Sequence, residues 1–528
     1  MKFTKPSFNK IDPKALTTFI STVYLIVFFL IYPLFMKSGY VNISYDKYTF
    51  FIYSSLVAIL LLLVTGLFLL FRELNRILIT DFFVLIFILL STISFLLSSY
   101  RQDGLNSVLG AEGWYMGYLT ILVMCVLYFL ISRLWLFEKI VVYAIFIGSF
   151  LVYLLGILDR YSLYIIPLEV RNSSFISTLG NINWFMGFYS VITPLGVVLF
   201  LLELKKSHEN GIISLNAKLL AVYVFVAFLA GFAQGSDGIV LFDAALFVCI
   251  LCLVRSRRIY LEHSCLVFLM WALSQIIFVL MMHFPGLDYN YEISGIYRLL
   301  TNIYIAPIVV VLVLLTYLFI RNKVRKGHDV SITKKRMAGV VLGIFFSLTV
   351  LWLVVCIINT NTGFIDENSG YLSFDRHFAS GRGETIWAGT EAFKNSGVRE
   401  KLIGAGPDMF DLKVYSIESV SSELKRVWPN DRLTNAHSEI LTILVNQGIL
   451  GIITYIGIFI SYIILIFKGS KNVSKKDIPG FSLAVAVSVI CYLSHNLMSF
   501  SQILSTPFIF IIMGMGVSAV HKNNSTGE

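Results

Sequence analysis

A polar stretch between two apolar segments contains an arginine in a setting suited to phosphate chemistry. Arg382 lies in the sequence Gly381-Arg-Gly-Glu384, at the predicted start of a helix. A guanidinium beside the free backbone N–H groups of a helix N-terminus is a binding site for phosphate or diphosphate. The alternative interpretation is that Arg382 is an ordinary surface arginine whose charge is paired with Glu384.

A histidine lies at the far end of the same stretch, where the next apolar segment begins. His437 is the third residue of Asn435-Ala-His-Ser-Glu439. Because an unperturbed imidazole has a pKa of about 6.5, it could accept a proton from a hydroxyl group as a general base. Glu439 could orient the ring or titrate beside it. The alternative is a capping histidine, with Asn435 or Ser438 forming the cap.

Two glycine-containing motifs in this stretch look like phosphate loops. They are Gly381-Arg-Gly383 and Gly404-Ala-Gly-Pro-Asp408. Neither follows a strand or completes a P-loop or dinucleotide pattern, so both are weak nucleotide motifs. Asp408 and Asp411 have the spacing of a solvated helix face, and no Asp-x-Asp pair is present to hold a divalent metal. We therefore expect no metal and no cofactor.

Composition indicates where these residues must be held. The 528-residue chain is 57% hydrophobic and 14% charged, with a mean hydropathy of +0.81. Soluble domains are about 45–50% apolar and about 25% charged, so the sequence predicts an all-α polytopic membrane protein. Apolar runs of spanning length predict about 12–14 transmembrane helices. These runs cover residues 17–36, 49–71, 78–98, 115–136, 139–158, 183–203, 217–234, 238–255, 262–284, 301–320, 338–358, 439–467, 481–498 and 503–520.

The positive charges are distributed as a membrane topology requires. The formal net charge is +10. With a cytoplasmic N-terminus, basic clusters such as 321–336 and 468–476 fall on the cytoplasmic side, as the positive-inside rule demands. Both termini are then cytoplasmic, and residues 359–438 form a large extracytoplasmic loop. Because topology accounts for the charge, we predict no nucleic-acid partner.

The predicted spans contain few groups that could move ions. Asp81 and Asp243 are the clearest carboxylates within them, and we interpret both as helix-packing residues. The six cysteines all lie in apolar runs and are interpreted as packed thiols. The small number of ionisable side chains within the predicted spans argues against a proton- or ion-coupled transporter.

The chain therefore divides around the polar stretch. Within the stretch, a helix is predicted to begin at Glu384 and end before Gly397, with a short second helix through Phe410 and Tyr415. The three predicted parts are a transmembrane bundle of about 11 spans at 1–358, the loop at 359–438, and about three further spans at 439–528.

Three segments of the chain together resemble a known family. SGRGETIW, LIGAGPDMF and NAHSEILTILVNQGILGIITYIGIF, in that order, are similar to segments of the O-antigen ligase/polymerase superfamily. The resemblance is good over residues 340–468 and weaker upstream. The upstream segments are VLGAEGWYMG at 108–117 and STLGNINWFMGFYSVITP at 177–194, in which Asn181, Asn183 and Pro194 are the matching positions.

The resemblance implies a fold and an activity. The fold would be a helical membrane fold related to the GT-C glycosyltransferases, in the bacterial cytoplasmic membrane. The donor would be a glycan on undecaprenyl diphosphate, transferred at the outer face, with Arg382 and His437 as the functional residues. Ligases of the family usually carry a further arginine after a serine at an outer turn. Here Ser236 is followed by Asp237, so either another arginine substitutes, with Arg298 and Arg171 available on the outer side, or the contact with the donor differs.

The expected chemistry is a single displacement with inversion. Arg382 would stabilise the leaving diphosphate and His437 would accept the proton of the attacking hydroxyl, without metal or nucleotide. Trp387 would offer a surface to sugar or lipid, or would simply pack. The residues expected to bind substrate are Glu384, Trp387, Asn181, Arg298 and Glu439.

Several functions remain open at this stage. Within the family, the acceptor could be a growing glycan, a lipid or a protein, and membrane lipids would surround the site in each case. Outside it, a flippase for lipid-linked oligosaccharides could have as many spans, although it would carry charges facing a central cavity. A peptidoglycan polymerase of the shape and division type would rely on an outer-loop carboxylate and have fewer spans.

Overall fold

The architecture is a bundle of long apolar helices. The structure, a computed structural model, describes residues 12–73, 77–100, 106–168, 170–256, 258–291, 295, 297–325, 331–365, 370–468 and 478–525. Strand structure among these residues is limited to one antiparallel pair, β1 (Phe175–Ile176) with β2 (Gly180–Asn181). The predicted all-α polytopic class is confirmed. Of the predicted cytoplasmic basic clusters, residues 326–330 and 469–477 lie outside the described residues, as do residues 1–11.

Every apolar run that the sequence marks as a span forms a helix. Within the described residues, eleven helices are long and apolar enough to cross a membrane. They are α1 (Pro13–Ile26, continued by irregular turns to Leu34), α2 (Ile43–Glu73), α3 (Ile79–Leu97), α6 (Lys139–Arg160), α7 (Ile182–Asn210), α8 (Leu215–Gln234), α9 (Gly238–Arg255), α10 (Leu261–Met282), α12 (Ile305–Arg325), α13 (Ser331–Thr362) and α18 (Glu439–Lys468).

The remaining three predicted spans form shorter apolar helices. These are α5 (Tyr118–Leu134), α19 (Gly480–His495) and α20 (Thr506–Ser525). Two further helices of four residues each, α4 (Asn106–Leu109) and α11 (Tyr297–Leu300), lie in connections between the long ones.

Helix α7 lies at the centre of the bundle and α13 at its periphery. In the most apolar part of α7, 89% of the residues are buried, compared with 6% in α13. Helix α20 is also central, because every residue from Thr506 to Val520 is buried. The outward apolar side chains of α12 and α13 are what a helix in contact with membrane lipid requires.

The two carboxylates predicted to pack between helices do so. Asp81 forms a buried ion pair with Arg133 and accepts a hydrogen bond from the Tyr128 hydroxyl at 2.7 Å. Asp243 accepts a hydrogen bond from the indole nitrogen of Trp271 at 2.9 Å. The charge of Asp81 is paired, as a buried charge requires, and Asp243 links two helices through a single hydrogen bond.

Between α13 and α18 the chain leaves the long helices for residues 363–438, called here the connecting segment. It contains α14 (Phe378–Lys394), α15 (Val398–Ile403), α16 (Phe410–Tyr415) and α17 (Glu418–Val427). The predicted helix through Phe410 and Tyr415 is confirmed. Helix α14 starts earlier than predicted, although its first turn is irregular, with positive φ at Ala379 and Gly381. The segment has a small apolar core of its own, built from Ala388, Ala392, Phe410, Val414, Val420, Leu424, Leu433, Ala436 and Val445.

Candidate functional site

The connecting segment is fastened to a break in helix α18. Gly448 has φ 71° and ψ −171°, which interrupts the helix one third of the way along. The carbonyl oxygens of Val445 and Asn446, near the break, accept hydrogen bonds from the backbone N–H groups of Ala405 and Gly406, both at 2.9 Å. Two backbone groups that lie beside the break are therefore paired by the connecting segment, as buried backbone groups require.

Glycines make this backbone contact possible. A Cβ on Gly404 would lie 2.2 Å from the backbone of Asn446, and a Cβ on Gly448 would lie 2.4 Å from the carbonyl carbon of Leu402. The motif Gly404-Ala-Gly-Pro-Asp408 is therefore a docking motif between two pieces of backbone. The interpretation of Asp408 as part of a solvated helix face is wrong, because Asp408 is buried.

Asp408 fastens the same motif to the turn before α5. Its Oδ2 accepts hydrogen bonds from the backbone N–H groups of Ala111, at 2.7 Å, and Met116, at 3.2 Å. Burial raises the pKa of Asp408 to about 7, although these two hydrogen bonds act in the opposite direction. From the same turn, the indole nitrogen of Trp114 donates to the hydroxyl of Thr434 at 2.5 Å. Three separate parts of the chain thus converge on the residues that precede His437.

His437 is held in an unusual backbone conformation. Its φ is +47°, in the left-handed region that few non-glycine residues adopt. Its backbone N–H donates to Oδ1 of Asn435 at 3.0 Å, and its ring lies edge-on to Phe500, with centroids 5.4 Å apart. Nδ1 is buried and has no hydrogen-bond partner in the protein. Asn435 therefore caps the backbone of His437, while the ring remains available.

The electrostatic setting keeps the His437 imidazole neutral. Burial, followed by the positive charge of Arg382, lowers the pKa of His437 from 6.5 to about 4. A neutral imidazole carries one nitrogen that can accept a proton. The ring is therefore in the form that a general base needs across the neutral pH range.

Arg382 lies beside His437 because a threonine links their backbones. The Thr385 hydroxyl is within hydrogen-bond distance of the carbonyl oxygens of both Arg382, at 2.9 Å, and Ala436, at 2.8 Å. Nη1 of Arg382 donates to the carbonyl oxygen of Ala379 at 3.3 Å, and its buried Nε has no partner. The guanidinium has capacity for an anion, and the alternative pairing with Glu384 does not occur.

A third ionisable residue, which the sequence analysis did not predict, lies near Arg382 and His437. His495, the last residue of α19, is 3% exposed, and neither ring nitrogen has a hydrogen-bond partner. The carbonyl oxygen of its neighbour Asn496 accepts a hydrogen bond from the backbone N–H of Glu439 at 3.0 Å, which brings this end of α19 next to the start of α18. A Cβ on Gly238 would lie 3.2 Å from Nδ1 of His495, so that glycine leaves the ring its space.

The connection between α19 and α20, residues 496–505, continues this polar surface. Its buried side-chain atoms without hydrogen-bond partners include those of Asn496, Ser499, Gln502 and Ser505. Most buried polar groups in proteins are paired, so such a concentration calls for an explanation. A signal was present in the sequence, since NLMSFSQILS places five polar side chains between two apolar helices where a tight apolar turn would suffice.

Two of the predicted substrate-binding residues contact Arg376. Glu384 forms an ion pair with Arg376 at 3.2 Å, and the guanidinium of Arg376 lies over the ring of Trp387 at 3.9 Å. Burial raises the pKa of Glu384, and the charge of Arg376 opposes that rise. Both residues serve the packing of α14 against α17, because Arg376 also pairs with Glu423 at 2.9 Å.

Glu439 does not orient the His437 ring. Its carboxylate accepts hydrogen bonds from the backbone N–H and the hydroxyl of Ser501, and its backbone N–H donates to the carbonyl oxygen of Asn496 at 3.0 Å. Glu439 therefore joins the start of α18 to the α19–α20 connection. This contact places His437 beside the polar surface of residues 495–505.

Asn181 and Arg298 lie at α7 and α11. Asn181 is the N-cap of α7, and its Oδ1 accepts from the backbone N–H of Asn183 at 2.8 Å. The Asn183 side chain reaches the site instead, because its Oδ1 accepts from the Ser236 hydroxyl at 3.0 Å. Arg298 is exposed on α11.

The turn after Ser236 is contacted from several parts of the chain. Asp237 accepts hydrogen bonds from the Tyr371 hydroxyl and from the backbone N–H of Tyr297, the neighbour of Arg298; the second bond is 3.0 Å long. Arg171 stacks over Tyr164 at 3.4 Å. His495 also approaches this turn, at Gly238.

A cavity of about 40 Å³ opens on the α18 side of His437. It shares Asn435 and Phe500 with the surroundings of that histidine. The described residues contain no group of three or more His, Cys, Asp or Glu side chains that could hold a metal ion. The arrangement can bind an anion at Arg382 and accept a proton at His437.

Comparisons with known proteins add no relatives. The sequence matches no protein-family model, and a search of curated proteins finds no match either.

Proposed function

We propose that the chain is a membrane glycosyltransferase. It transfers an oligosaccharide from undecaprenyl diphosphate to a glycan, lipid or protein acceptor at the outer face of the bacterial cytoplasmic membrane. The observation that carries the proposal is the convergence of Arg382 and His437, from the start of α14 and the start of α18, in one site where each keeps a buried nitrogen without a partner.

The leaving group explains why a cation and a base suffice. The bond between the anomeric carbon and the diphosphate oxygen breaks, and the diphosphate leaves with the electron pair. Negative charge then builds on the diphosphate, where the Arg382 guanidinium stabilises it through charge-assisted hydrogen bonds. An acid is not needed, because diphosphate is already a good leaving group.

His437, the general base, acts on the acceptor. The acceptor hydroxyl attacks the anomeric carbon from the face opposite the diphosphate, and its proton passes to His437. A new carbon–oxygen bond forms with inversion. Burial and then the positive charge of Arg382 lower the pKa of His437, and binding of the anionic donor offsets the second of these effects. The donor thereby makes His437 a better base when the acceptor is in place.

The test uses purified protein in lipid nanodiscs with an undecaprenyl-diphosphate-linked oligosaccharide. Release of undecaprenyl diphosphate is measured by mass spectrometry, and the new attachment of the glycan is identified. Arg382→Ala and His437→Ala are each expected to lower the rate of release by about 100-fold or more. Thermal unfolding midpoints should stay close to that of the wild type.

Matched controls separate chemistry from general damage. Arg376→Ala removes an arginine of the same segment that is paired within the protein, and His377→Ala removes an exposed histidine. Both should retain transfer. Full activity of His437→Ala would contradict the assignment of the base, and wild-type protein that moves the lipid across the bilayer without releasing diphosphate would indicate a flippase.

A further inference from the structure

His495 is a buried histidine whose ring nitrogens make no hydrogen bond with any described residue. It is the last residue of α19 and is 3% exposed. Buried polar groups are nearly always paired, and a group left unpaired costs free energy. A neutral imidazole has one nitrogen that donates and one that accepts, so the ring can take up a proton on one side and release another on the opposite side. His495 is therefore chemically suited to pass on a proton.

The residues that follow His495 are held against the start of α18, where the base His437 lies. The carbonyl oxygen of Asn496 accepts a hydrogen bond from the backbone N–H of Glu439 at 3.0 Å, and the Phe500 ring meets the His437 ring with centroids 5.4 Å apart. The segment from His495 to Phe500 therefore borders the base.

On another side, the His495 ring faces the turn between α8 and α9. A Cβ on Gly238 would lie 3.2 Å from Nδ1 of His495 and 3.4 Å from Oγ of Ser236. Asp237 and Gly238 are partly exposed, whereas His495 and Ser236 are buried. His495 therefore lies between the segment that borders His437 and a turn that reaches the protein surface.

The side chains beside His495 offer both hydrogen-bond donors and hydrogen-bond acceptors. The amide nitrogen and oxygen of Asn496 and the hydroxyl of Ser499 are unpaired within the described part of the chain, in residues that are 2% and 3% exposed. An anion would need donors alone, and a cation would need acceptors alone. Water both donates and accepts, and buried water commonly pairs such groups. We therefore expect ordered water beside Asn496 and Ser499.

The carboxylates in the cavity on the α18 side of His437 are already engaged. Oδ2 of Asp408 accepts two backbone N–H groups, and the Glu439 carboxylate accepts the backbone N–H and the hydroxyl of Ser501. Burial and then the charge of Arg382 lower the pKa of His437 to about 4, so its protonated form releases the proton readily. The segment from His495 to Phe500 is the side on which unpaired polar groups can take it.

We propose that His495 relays the proton that His437 takes from the acceptor hydroxyl. The proposal rests on the proposed function and concerns the step after the glycan has been transferred. The new N–H bond of His437 breaks, and the proton passes through water beside Asn496 and Ser499 to one nitrogen of His495. The other ring nitrogen gives its proton to water at the α8–α9 turn. One proton leaves for each glycan transferred, His437 is again a base, and exchange with water restores the tautomer of His495.

The test separates a relay from a role in binding. In nanodiscs at low buffer concentration, His495→Ala should lower kcat for undecaprenyl diphosphate release about tenfold or more. Its kcat/KM for the donor should stay at the wild-type level, because the proton leaves after transfer. Added imidazole should restore kcat to within about twofold of the wild type, since it fits the space that the side chain vacates and carries the proton itself.

A second variant and a matched control accompany this experiment. His495→Gln keeps a polar side chain that fills the space but cannot relay a proton, so kcat should fall without recovery in imidazole. His283 follows the last turn of α10, is exposed, and has its Nδ1 2.9 Å from the carbonyl oxygen of Val279. His283→Gln should keep the wild-type kcat. If His495→Ala does not fold, kcat and kcat/KM of His495→Gln decide.

Three outcomes would overturn the proposal. They are a wild-type kcat in both His495 variants, a fall in kcat/KM for the donor equal to the fall in kcat, and a loss of activity in folded His495→Ala that imidazole does not restore. Absence of undecaprenyl diphosphate release by the wild type with every acceptor is a separate result. It would overturn the proposed function, and the relay with it.

Discussion

The two glycine motifs of the connecting segment look alike in the sequence and differ in the polar groups that they leave unpaired. In Gly404-Ala-Gly-Pro-Asp408, two backbone N–H groups and the carboxylate are paired with Val445, Asn446 and the turn before α5. In Gly381-Arg-Gly383, Gly383 packs closely against the backbone of Asp375, but a Cβ on Gly381 would meet nothing within 4 Å and the Arg382 Nε has no partner.

The difference teaches how to separate a structural glycine motif from one at a binding site. Glycine spacing reports only that backbone must come close to something. The hydrogen-bond partners decide whether the close neighbour is protein or ligand. These partners come from the tertiary structure and cannot be read from the local sequence. Polar groups that are already paired hold the segment in place, and those that are buried and unpaired remain for a ligand.

The largest expected effect is on folding, from substitutions where Gly404-Ala-Gly-Pro-Asp408 contacts helix α18. Gly404→Ala and Gly448→Ala each force a Cβ to within about 2.4 Å of backbone atoms, at φ values of +82° and +71° that favour glycine. The strain and the clash together should cost at least about 3 kcal/mol. We expect little folded protein, measured by size-exclusion chromatography of detergent-solubilised membranes.

Two further glycine substitutions, with smaller expected costs, serve as controls for that experiment. Gly381→Ala meets the same backbone strain, at φ +92°, without the clash and should cost only about 1 kcal/mol. Gly397→Ala, with φ −68° and open space, should be neutral. Equal loss of folded protein in Gly381→Ala and Gly404→Ala would remove the distinction between the two motifs.

The next prediction concerns the pH dependence of activity at the site formed by Arg382 and His437. Because burial and Arg382 lower the pKa of His437 to about 4, the ring stays neutral until the pH falls well below 6.5. The acid limb of kcat/KM, which reports the free enzyme, should therefore lie below pH 6. NMR titration of the histidine ring carbons, with His437→Gln to assign the signal, gives the same pKa independently. A limb near pH 6.5 would contradict the buried setting.

A smaller effect is expected on the stability of the fold, from the buried carboxylate of Asp408. Burial raises the pKa of Asp408 to about 7, above the 3.8 of an ordinary aspartate. Between these values the folded protein binds more protons than the unfolded chain, so Asp408 makes stability fall as pH rises through this range. Asp408→Asn mimics the neutral form and should unfold at a higher temperature than the wild type at pH 8. The advantage should shrink towards pH 5, and an advantage that grows there instead would contradict the raised pKa.

The smallest effect is expected on the outer face of α14. Arg376 is 44% exposed while pairing with Glu384 and Glu423, and partly exposed ion pairs contribute about 1 kcal/mol or less. Arg376→Ala should lower the unfolding midpoint slightly and leave the KM for the donor unchanged. A large rise in that KM would return Glu384 and Trp387 to the substrate site.

Hydropathy predicted the helices well because a membrane span is encoded locally. Each apolar run became a helix, since its length and composition alone satisfy the backbone within a bilayer. The site was less accessible to this reasoning. Arg382 and His437 were singled out with the help of a resemblance, while the pairing of Glu384 with Arg376, eight residues earlier, does not follow from local spacing. His495 was missed because a single histidine at the end of an apolar helix looks like any helix terminus.

The break at Gly448 has a consequence for how the protein is made. Two hydrogen bonds beside the break in α18 come from Ala405 and Gly406, which precede that helix in the chain. Helix α18 therefore reaches its final form only after the connecting segment has folded back onto it. Assembly of the site and completion of the last long helix are one event, so no fully formed α18 exists without His437 already near its partners.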